Sequence, residues 1–293
     1  MQLETLMDTM SRQQVPEGAL YVIGTPIGNI CDISLRALTV LEVADVVACE
    51  DTRNTRSLLS AYGLSKPLLA AHQHNEREVA GQLTARLERG ERIALVSDAG
   101  TPGISDPGAR IVDSLREAGC HIVPIPGPSA AIAALSISGF TDNGFRFVGF
   151  LPIKHAQRLT FLRALQNTPE TLVFYEAPHR IKEMLDSLSQ VFGGDRRVMV
   201  GRELTKLFEE TWRGTLSAVG EWISSNPNRT RREFVILVEG VQVDEGQSGE
   251  DEAKRILSIL LESMPVSGAV ATAVKITGLK KNLLYNVALQ LKA

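Results

Sequence analysis

The sequence is poor in cysteine, in long apolar runs and in excess positive charge, and each shortage argues against a class of protein. Its three cysteines, Cys31, Cys49 and Cys120, lie far apart without a CxxC pair, which predicts a reduced compartment and neither a disulfide framework nor a zinc site. No apolar run suits a signal peptide or a membrane span, so we expect a cytoplasmic protein without a membrane partner. The formal net charge of −3 argues weakly against nucleic acid, because only local basic clusters could hold it.

The composition is close to the average for soluble proteins: of the 293 residues, 44% are hydrophobic and 22% are charged. Such usage excludes disorder and collagen-like repeats. The length suffices for one large domain or two smaller ones. Residues 1–17 mix Met and Leu with charges and amides, and we expect them to form a flexible leader.

Short apolar runs alternate with helical patterns from Ala19 onward. The runs are apolar on both faces, which is typical of strands buried in a parallel sheet, and their alternation with helices predicts a doubly wound α/β fold. The predicted strands lie near residues 21–23, 46–49, 68–71, 93–96 and 122–125. Turn residues near 138–144 predict a boundary between an N-terminal α/β domain, 18–140, and a C-terminal α/β domain with a mixed sheet, 141–240.

The end of the chain has a different composition. Residues 241–251 are acidic, contain glycine and lack apolar periodicity, so they are predicted to be a linker. Residues 252–293 carry three short helical patterns, with Gly278 in a turn before the last one. This arrangement predicts a helix-turn-helix-like unit, and a helical bundle that only caps the second domain explains it equally well.

All five predicted parallel strands are followed by Gly, Pro, polar or charged residues. In an open parallel sheet the ligand lies beyond the carboxyl ends of the strands. Turn formation explains any one such loop but explains the whole set poorly, so we expect a ligand site there. The loop 98–108 offers main-chain groups and two carboxylates, which suits a ligand with amino, carboxylate and hydroxyl groups rather than a pyrophosphate, and a cationic ligand would fit.

Several common site motifs are missing. The stretch from Gly24 to Gly28 lacks the spacing of a dinucleotide fingerprint, and there is no P-loop Gly-Lys-Ser/Thr. Ser129 lacks the GxSxG elbow, so no hydrolase triad is expected. His72 and His74 point to opposite faces of an extended chain and join no Cys/His cluster, so no metal site is expected.

Taken in order, the strand-end motifs resemble those of the bacterial small-subunit ribosomal RNA methyltransferase I family, which belongs to the tetrapyrrole-methylase-like S-adenosylmethionine enzymes. The motifs are GTPIGN at 24–29, EDTR at 50–53, HNE at 74–76, SDAGTP at 97–102, DPG at 106–108, PGPSA at 126–130, YE at 175–176 and RELTK at 202–206. The resemblance runs from about Gly18 to the C-terminus.

This resemblance implies two α/β domains with S-adenosylmethionine in the cleft between them, and a homodimer. It also implies 2′-O-methylation of a cytidine ribose in small-subunit (16S) ribosomal RNA near the decoding centre, with the small ribosomal subunit or its RNA as partner. Two other functions stay open: a tetrapyrrole methyltransferase of the same superfamily, and a non-enzymatic nucleic-acid-binding regulator that uses the helical tail.

Candidate site residues fall into three groups. Carried over from the resemblance, the cofactor would contact Pro26, Asp98, Gly100, Gly103, Ile104, Ser129, Ala130, Tyr175, Leu204 and Val235. Because their motifs follow strands near the cleft, the candidates for catalysis are Glu50, Asp51, Arg53, Glu76 and Lys206. The candidate RNA contacts are Arg53, Arg56, Arg229, Arg231, Arg232, Lys280 and Lys281, although a solvated charged face is the default interpretation of 229–232.

No single indispensable base is expected for such a reaction. Methyl transfer to a hydroxyl is an in-line displacement at a carbon that the sulfonium already activates. Orienting two bound reactants supplies on the order of 7–11 kcal/mol, whereas a positioned general base adds roughly a hundred- to ten-thousand-fold in rate.

Overall fold

The structure is a computed structural model that describes residues 12–73, 75–140, 144–241 and 245–292. The chain forms two compact units, one ending at Glu239 and one beginning at Gly240. No helix in the described ranges combines the length and the apolar character needed to cross a membrane.

The end of the predicted leader, 1–17, is held against the first unit rather than free. Tyr21 donates a hydrogen bond from its hydroxyl to the carbonyl of Pro16 at 2.7 Å, and Arg92 Nε donates to the carbonyl of Val15 at 2.9 Å. Residues 1–11 lie outside the described part of the chain.

The first sheet is parallel, as its apolar runs predict. Its strands are β1 (Ala19–Ile23), β2 (Val46–Cys49), β3 (Leu68–Ala70), β4 (Ile93–Val96) and β5 (His121–Ile125), in the order β3-β2-β4-β1-β5. Four helices follow the first four strands: α1 (Leu35–Val43), α2 (Thr52–Ala61), α3 (Glu76–Glu88) and α4 (Ala109–Glu117). Successive residues such as Leu20 and Tyr21 are buried in hydrophobic clusters on opposite faces of the sheet, so both faces are covered.

The second sheet is mixed, as predicted. Its strands are β6 (Phe145–Phe150), β7 (Thr171–Glu176), β8 (Arg197–Arg202), β9 (Glu210–Thr215) and β10 (Phe234–Val238), in the order β6-β7-β10-β8-β9. Only the β6–β7 pair is parallel. The helices nearby in sequence are α5 (Ala130–Ser138), α6 (His155–Arg163), α7 (Ile181–Phe192) and α8 (Leu216–Ser224).

Helix α5 precedes the predicted boundary at 140/141, yet it packs on the second sheet. Ala131 and Ala134 share a buried cluster with Val173 and Leu237, while α6, α7 and α8 cover the opposite face. The helix ends at Gly139, whose φ of +65° suits glycine. Both sheets therefore share one compact unit, and the division into two domains stays a prediction.

The second unit is a three-helix arrangement with its own core. Its helices are α9 (Glu245–Leu261), α10 (Val266–Thr277) and α11 (Lys281–Lys292), with Leu257, Val270 and Leu284 buried between them. Gly278 ends α10 in the left-handed region. The predicted linker, 241–251, is helical from Glu245 onward.

Candidate functional site

A cavity of about 340 Å³ lies beyond the carboxyl ends of the first sheet's strands and faces the second sheet. Its lining residues are Ile27, Ala99, Gly100, Thr101, Ile104, Ser105, Asp106, Ser129, Ala130, Phe150, Tyr175, Glu176, Ala177, Pro178, Gly201, Glu203, Leu204, Lys206, Glu233, Phe234 and Val235. The volume is typical of small-molecule sites, and both sheets contribute walls.

Close backbone contacts hold the loops of the first sheet together. A Cβ on Gly127 would stand 2.5 Å from the carbonyl oxygen of Gly24, so only glycine fits where the loops after β1 and β5 meet. Thr25 and Gly100 exchange two main-chain hydrogen bonds of 2.8 and 3.1 Å. The neighbouring strands β1, β4 and β5 thus present three loops as one wall.

The loop between β4 and α4 turns sharply several times. Gly100, Gly103 and Gly108 have φ between +80° and +123°, and Ser105, which is not glycine, has φ +66°. Such a conformation in a residue with a Cβ is a strain that clusters at functional sites. At the end of the loop, the Gly108 amide donates to Glu76 Oε1 at 2.8 Å.

Tyr175 forms the aromatic wall on the second sheet. Its hydroxyl accepts a 3.1 Å hydrogen bond from the amide of Ala131 in the first turn of α5. Its ring makes edge contacts with Phe147 and Phe150, with centroids 5.1 and 5.9 Å apart. Burial raises the pKa of the Tyr175 hydroxyl, so this side chain is neutral and acts through its shape and its hydrogen bond.

A strained turn after β8 places an ammonium group at the cavity. Glu203 and Thr205 have φ of +52° and +69°. Lys206 Nζ donates to Glu203 Oε1 at 3.1 Å and to Glu233 Oε2 at 2.9 Å. Burial disfavours the charge, but these two carboxylates outweigh it and raise the pKa of Lys206. Lys206 is therefore a cation and has no lone pair to act as a base.

Carboxylates outnumber cations around the cavity. Four line it, namely Asp106, Glu176, Glu203 and Glu233, against the single ammonium of Lys206. Burial raises the pKa of Asp106, and the like charges of Asp98 and Glu233 add to this effect. An acidic wall of this kind favours a ligand that carries positive charge.

Seven of the ten residues predicted to contact the cofactor line the cavity: Gly100, Ile104, Ser129, Ala130, Tyr175, Leu204 and Val235. Pro26, Gly103 and Asp98 do not. Gly103 donates to the carbonyl of Pro107 within its own loop. Asp98 accepts from the Asp51 amide at 3.2 Å and from Asn54 Nδ2 at 2.7 Å, so it joins the loops after β4 and β2.

Of the five predicted catalytic residues, only Lys206 lines the cavity. Asp51 caps α2 and binds Arg53, whose hydrogen bonds lower the pKa of Asp51 to about 2. Glu76 is buried against the Gly108 amide. Burial and three neighbouring aspartates raise the pKa of Glu50, although His72 opposes them.

The main residues that sequence reasoning missed are Asp106, Glu203 and Glu233. Asp106 and Glu203 stand inside the DPG and RELTK motifs, so the motifs contained the signal. Glu233 precedes β10, and antiparallel pairing of Phe234 with Glu176 and Arg202 brings this strand's start to the carboxyl ends of β7 and β8. Only the pairing pattern could have revealed Glu233.

The predicted RNA contacts differ in their availability. Arg229 is bound within the fold, with NH2 on Glu210 Oε1 at 2.5 Å and its guanidinium 4.5 Å from the centroid of the Trp222 ring. The other six, Arg53, Arg56, Arg231, Arg232, Lys280 and Lys281, are exposed. Lys280 and Lys281 lie at the start of α11 in the second unit.

In the described part of the chain, no cluster of His, Cys, Asp and Glu side chains has the arrangement of a metal site. His74, which is not expected to be a metal ligand, lies outside that part.

The structure is that of an α/β protein with two five-stranded sheets, whose loops line a cavity of small-molecule size. The family described as Tetrapyrrole (Corrin/Porphyrin) Methylases matches residues 19–220, and the RsmI C-terminal HTH domain matches residues 247–292. A solved cobalt precorrin-4 methyltransferase is similar, with a TM-score of 0.56 at 21% identity over 78% of this chain and 98% of that one. A uroporphyrin-III C-methyltransferase from Thermus thermophilus, complexed with S-adenyl homocysteine, has a TM-score of 0.53 at 18% identity over 75% of this chain and 96% of that one.

Curated relatives are much closer in sequence, and they are named ribosomal RNA small subunit methyltransferase I. The Pseudomonas aeruginosa protein is 49% identical, over 93% of this chain and 97% of the relative. The Escherichia coli O157:H7 protein is 44% identical, over 94% and 96%. The chain therefore belongs to the tetrapyrrole methylase family and, within it, to the small-subunit ribosomal RNA methyltransferase I group.

Proposed function

We propose that the chain transfers a methyl group from S-adenosylmethionine to the ribose 2′-oxygen of a cytidine in small-subunit ribosomal RNA, near the decoding centre. The names of the relatives support ribosomal RNA methylation. The cytidine, the 2′-oxygen and the decoding centre rest on the motifs GTPIGN to RELTK. The cytoplasm as the place of action and a homodimeric state belong to the same proposal.

The composition of the cavity wall is the observation that carries the cofactor proposal. S-adenosylmethionine has a sulfonium, an ammonium, a carboxylate and an adenosine. Carboxylates outnumber the Lys206 ammonium around the cavity, which suits a cofactor with net positive charge, and Ala130, Leu204 and Val235 give the wall apolar surface that an adenosine could use. The residues present therefore fit the cofactor.

When bound, S-adenosylmethionine supplies a methyl group activated by its positive sulfur. The protein residues orient the reactants. Tyr175 fixes the start of α5 through its hydrogen bond with the Ala131 amide. The two main-chain hydrogen bonds between Thr25 and Gly100 fix the loop after β4. Such rigid placement lowers the barrier by removing orientational freedom before the reaction.

The test is transfer of labelled methyl from S-adenosylmethionine to three acceptors in parallel: unmodified small ribosomal subunits, naked small-subunit RNA and a reduced tetrapyrrole. We expect label in the subunits, mapped to a cytidine ribose because a 2′-O-methylated linkage resists alkali. Label in the tetrapyrrole alone would refute the substrate proposal, and no label in any acceptor would refute the enzymatic function.

A pair of variants on α5 guards against a contaminating methylase. Ala130→Phe places a large ring in the cavity and should abolish labelling, whereas Ile132→Phe alters a residue that is 53% exposed and should leave labelling unchanged. Equal labelling by both variants would show that the activity belongs to another protein.

A further inference from the structure

Three of the four carboxylates that line the cavity are already paired with cations. Glu203 and Glu233 both bind the Lys206 ammonium. The fully buried Glu176 carboxylate lies 3.3 Å from Arg180 Nε. Asp106 takes part in no ion pair among the described residues, so its charge is not neutralised by a neighbour.

The surroundings of Asp106 favour uptake of a proton. Asp106 is half-buried in the strained loop and follows Ser105 directly. The charged groups that face it are the carboxylates of Asp98 and Glu233. The negative charge of Asp106 in turn helps to raise the pKa of Glu50. Burial, and to a lesser extent these like charges, raise the pKa of Asp106. A carboxylate in such a place holds a proton better than an exposed aspartate.

Three of the residues that the sequence predicted to be catalytic are unsuited to accept a proton from the substrate. Lys206 is already an ammonium, and Asp51 has a pKa of about 2 because of Arg53. Glu76 is buried and faces the Gly108 amide instead of the cavity. Glu50, whose pKa is also raised, does not line the cavity.

We infer that Asp106 is the general base, which accepts the proton that the substrate hydroxyl loses during methyl transfer; this rests on the proposed function. The hydroxyl oxygen forms the bond to the methyl carbon. The carbon–sulfur bond breaks, and its electron pair goes to the sulfur. The hydroxyl proton passes to the Asp106 carboxylate and from there to solvent.

The experiment compares Asp106→Asn with the unaltered chain in single-turnover methylation of small subunits. Asparagine keeps the size and polarity of the side chain, so we expect the dissociation constant of S-adenosylmethionine and the subunit KM to change little. The methyl-transfer rate should fall by roughly a hundredfold or more, as for loss of a general base. Asp113→Asn, on the exposed side of α4, is the matched control and should retain the full rate.

Chemical rescue separates proton transfer from a structural role. Added formate should restore part of the rate of Asp106→Ala, because a small carboxylate can enter the space left by the side chain. A rate for Asp106→Asn within about tenfold of the unaltered chain would overturn the inference, since a general base contributes more than that. Weakened S-adenosylmethionine binding without formate rescue would also overturn it. Ribose labelling by the unaltered chain is measured before any variant is compared. If the unaltered chain labels no ribose, the proposed function itself fails.

Discussion

The side chain of Lys206 occupies the place where a Cβ on Gly28 would stand. A Cβ there would overlap Lys206 Cγ, and Thr205 Oγ1 lies 2.9 Å from the same position. Gly28 belongs to the loop after β1 and Lys206 to the turn after β8, so loops of the two sheets interlock here. Because Lys206 Nζ is held by Glu203 and Glu233, its side chain has little freedom to move aside.

We expect Gly28→Ala to slow methyl transfer by about a hundredfold, since the added methyl displaces a cavity wall and a shift near 1 Å can cost that much. Single-turnover methylation of small subunits measures the effect. Gly81→Ala is the control: Gly81 lies in α3, and apart from its chain neighbours and its own helix backbone no atom of the described residues lies within 4 Å of its Cβ position, so this change should stabilise the chain by about 0.5–1 kcal/mol. Equal rates for the two variants would show that the Gly28–Lys206 contact does not shape the site.

Asp51→Asn should leave the methyl-transfer rate within about tenfold, below the contribution of a general base. The reason is that Asp51 caps α2 and binds Arg53, and asparagine caps helices as well as aspartate. Turnover at saturating substrates measures this, with Asp51→Ala as the variant that loses the cap. A loss of a thousandfold in Asp51→Asn would instead restore Asp51 as a catalytic group.

The same residue predicts how stability depends on pH. The pKa of Asp51 is lowered from 3.8 to about 2 in the folded chain. Its contribution is therefore fully present above pH 3.8 and is lost as the pH falls towards 2. As the pH is lowered through that range, the unfolding temperature of Asp51→Asn should fall less steeply than the unfolding temperature of the unaltered chain. Parallel curves would mean that the Arg53 pair is absent in solution.

The sequence predicted the parallel strands, and the loops after β1, β4 and β5 that it singled out do line the cavity, because both features depend on local patterns. Buried strands need continuous apolar runs such as Ile93–Val96, and ligand loops need residues that turn or donate. Side-chain pairing is different. Glu76 and Asp51 have the chemistry of bases in the sequence, but the Gly108 amide and Arg53 occupy them in the fold. Asp106 is the reverse case, because only the three-dimensional arrangement shows that no cation of the described residues pairs with it.

Glu76→Ala should destabilise the first unit. Glu76 is 6% exposed and accepts the 2.8 Å hydrogen bond of the Gly108 amide, and a buried amide left without a partner costs about 1–3 kcal/mol. Chemical denaturation measures the free energy of unfolding. Glu76→Gln keeps an acceptor and should lose less, while Glu78→Ala on the exposed side of the same helix should change little. Equal losses for Glu76→Ala and Glu78→Ala would contradict this role.

Replacing Lys280 and Lys281 together by alanine should weaken the salt dependence of binding to small subunits. Both lysines are exposed at the start of α11. If each contacts an RNA phosphate, the slope of log K against log salt becomes shallower by about 1.4–1.8, at roughly 0.7–0.9 per contact. Filter binding over a range of KCl concentrations gives that slope.

The matched control for the lysine pair is the double variant Arg163→Ala and Lys182→Ala, which removes two exposed charges from α6 and α7. Its slope should be unchanged, since net charge alone is a weak long-range effect at moderate salt.

Arg229→Ala tests an arginine that is already bound within the fold. It should lower stability without altering the slope, because Arg229 already binds Glu210 and Trp222. A slope that changes for the control pair and for Lys280 and Lys281 alike would assign RNA affinity to general charge, and the second unit would lose its proposed role in RNA contact.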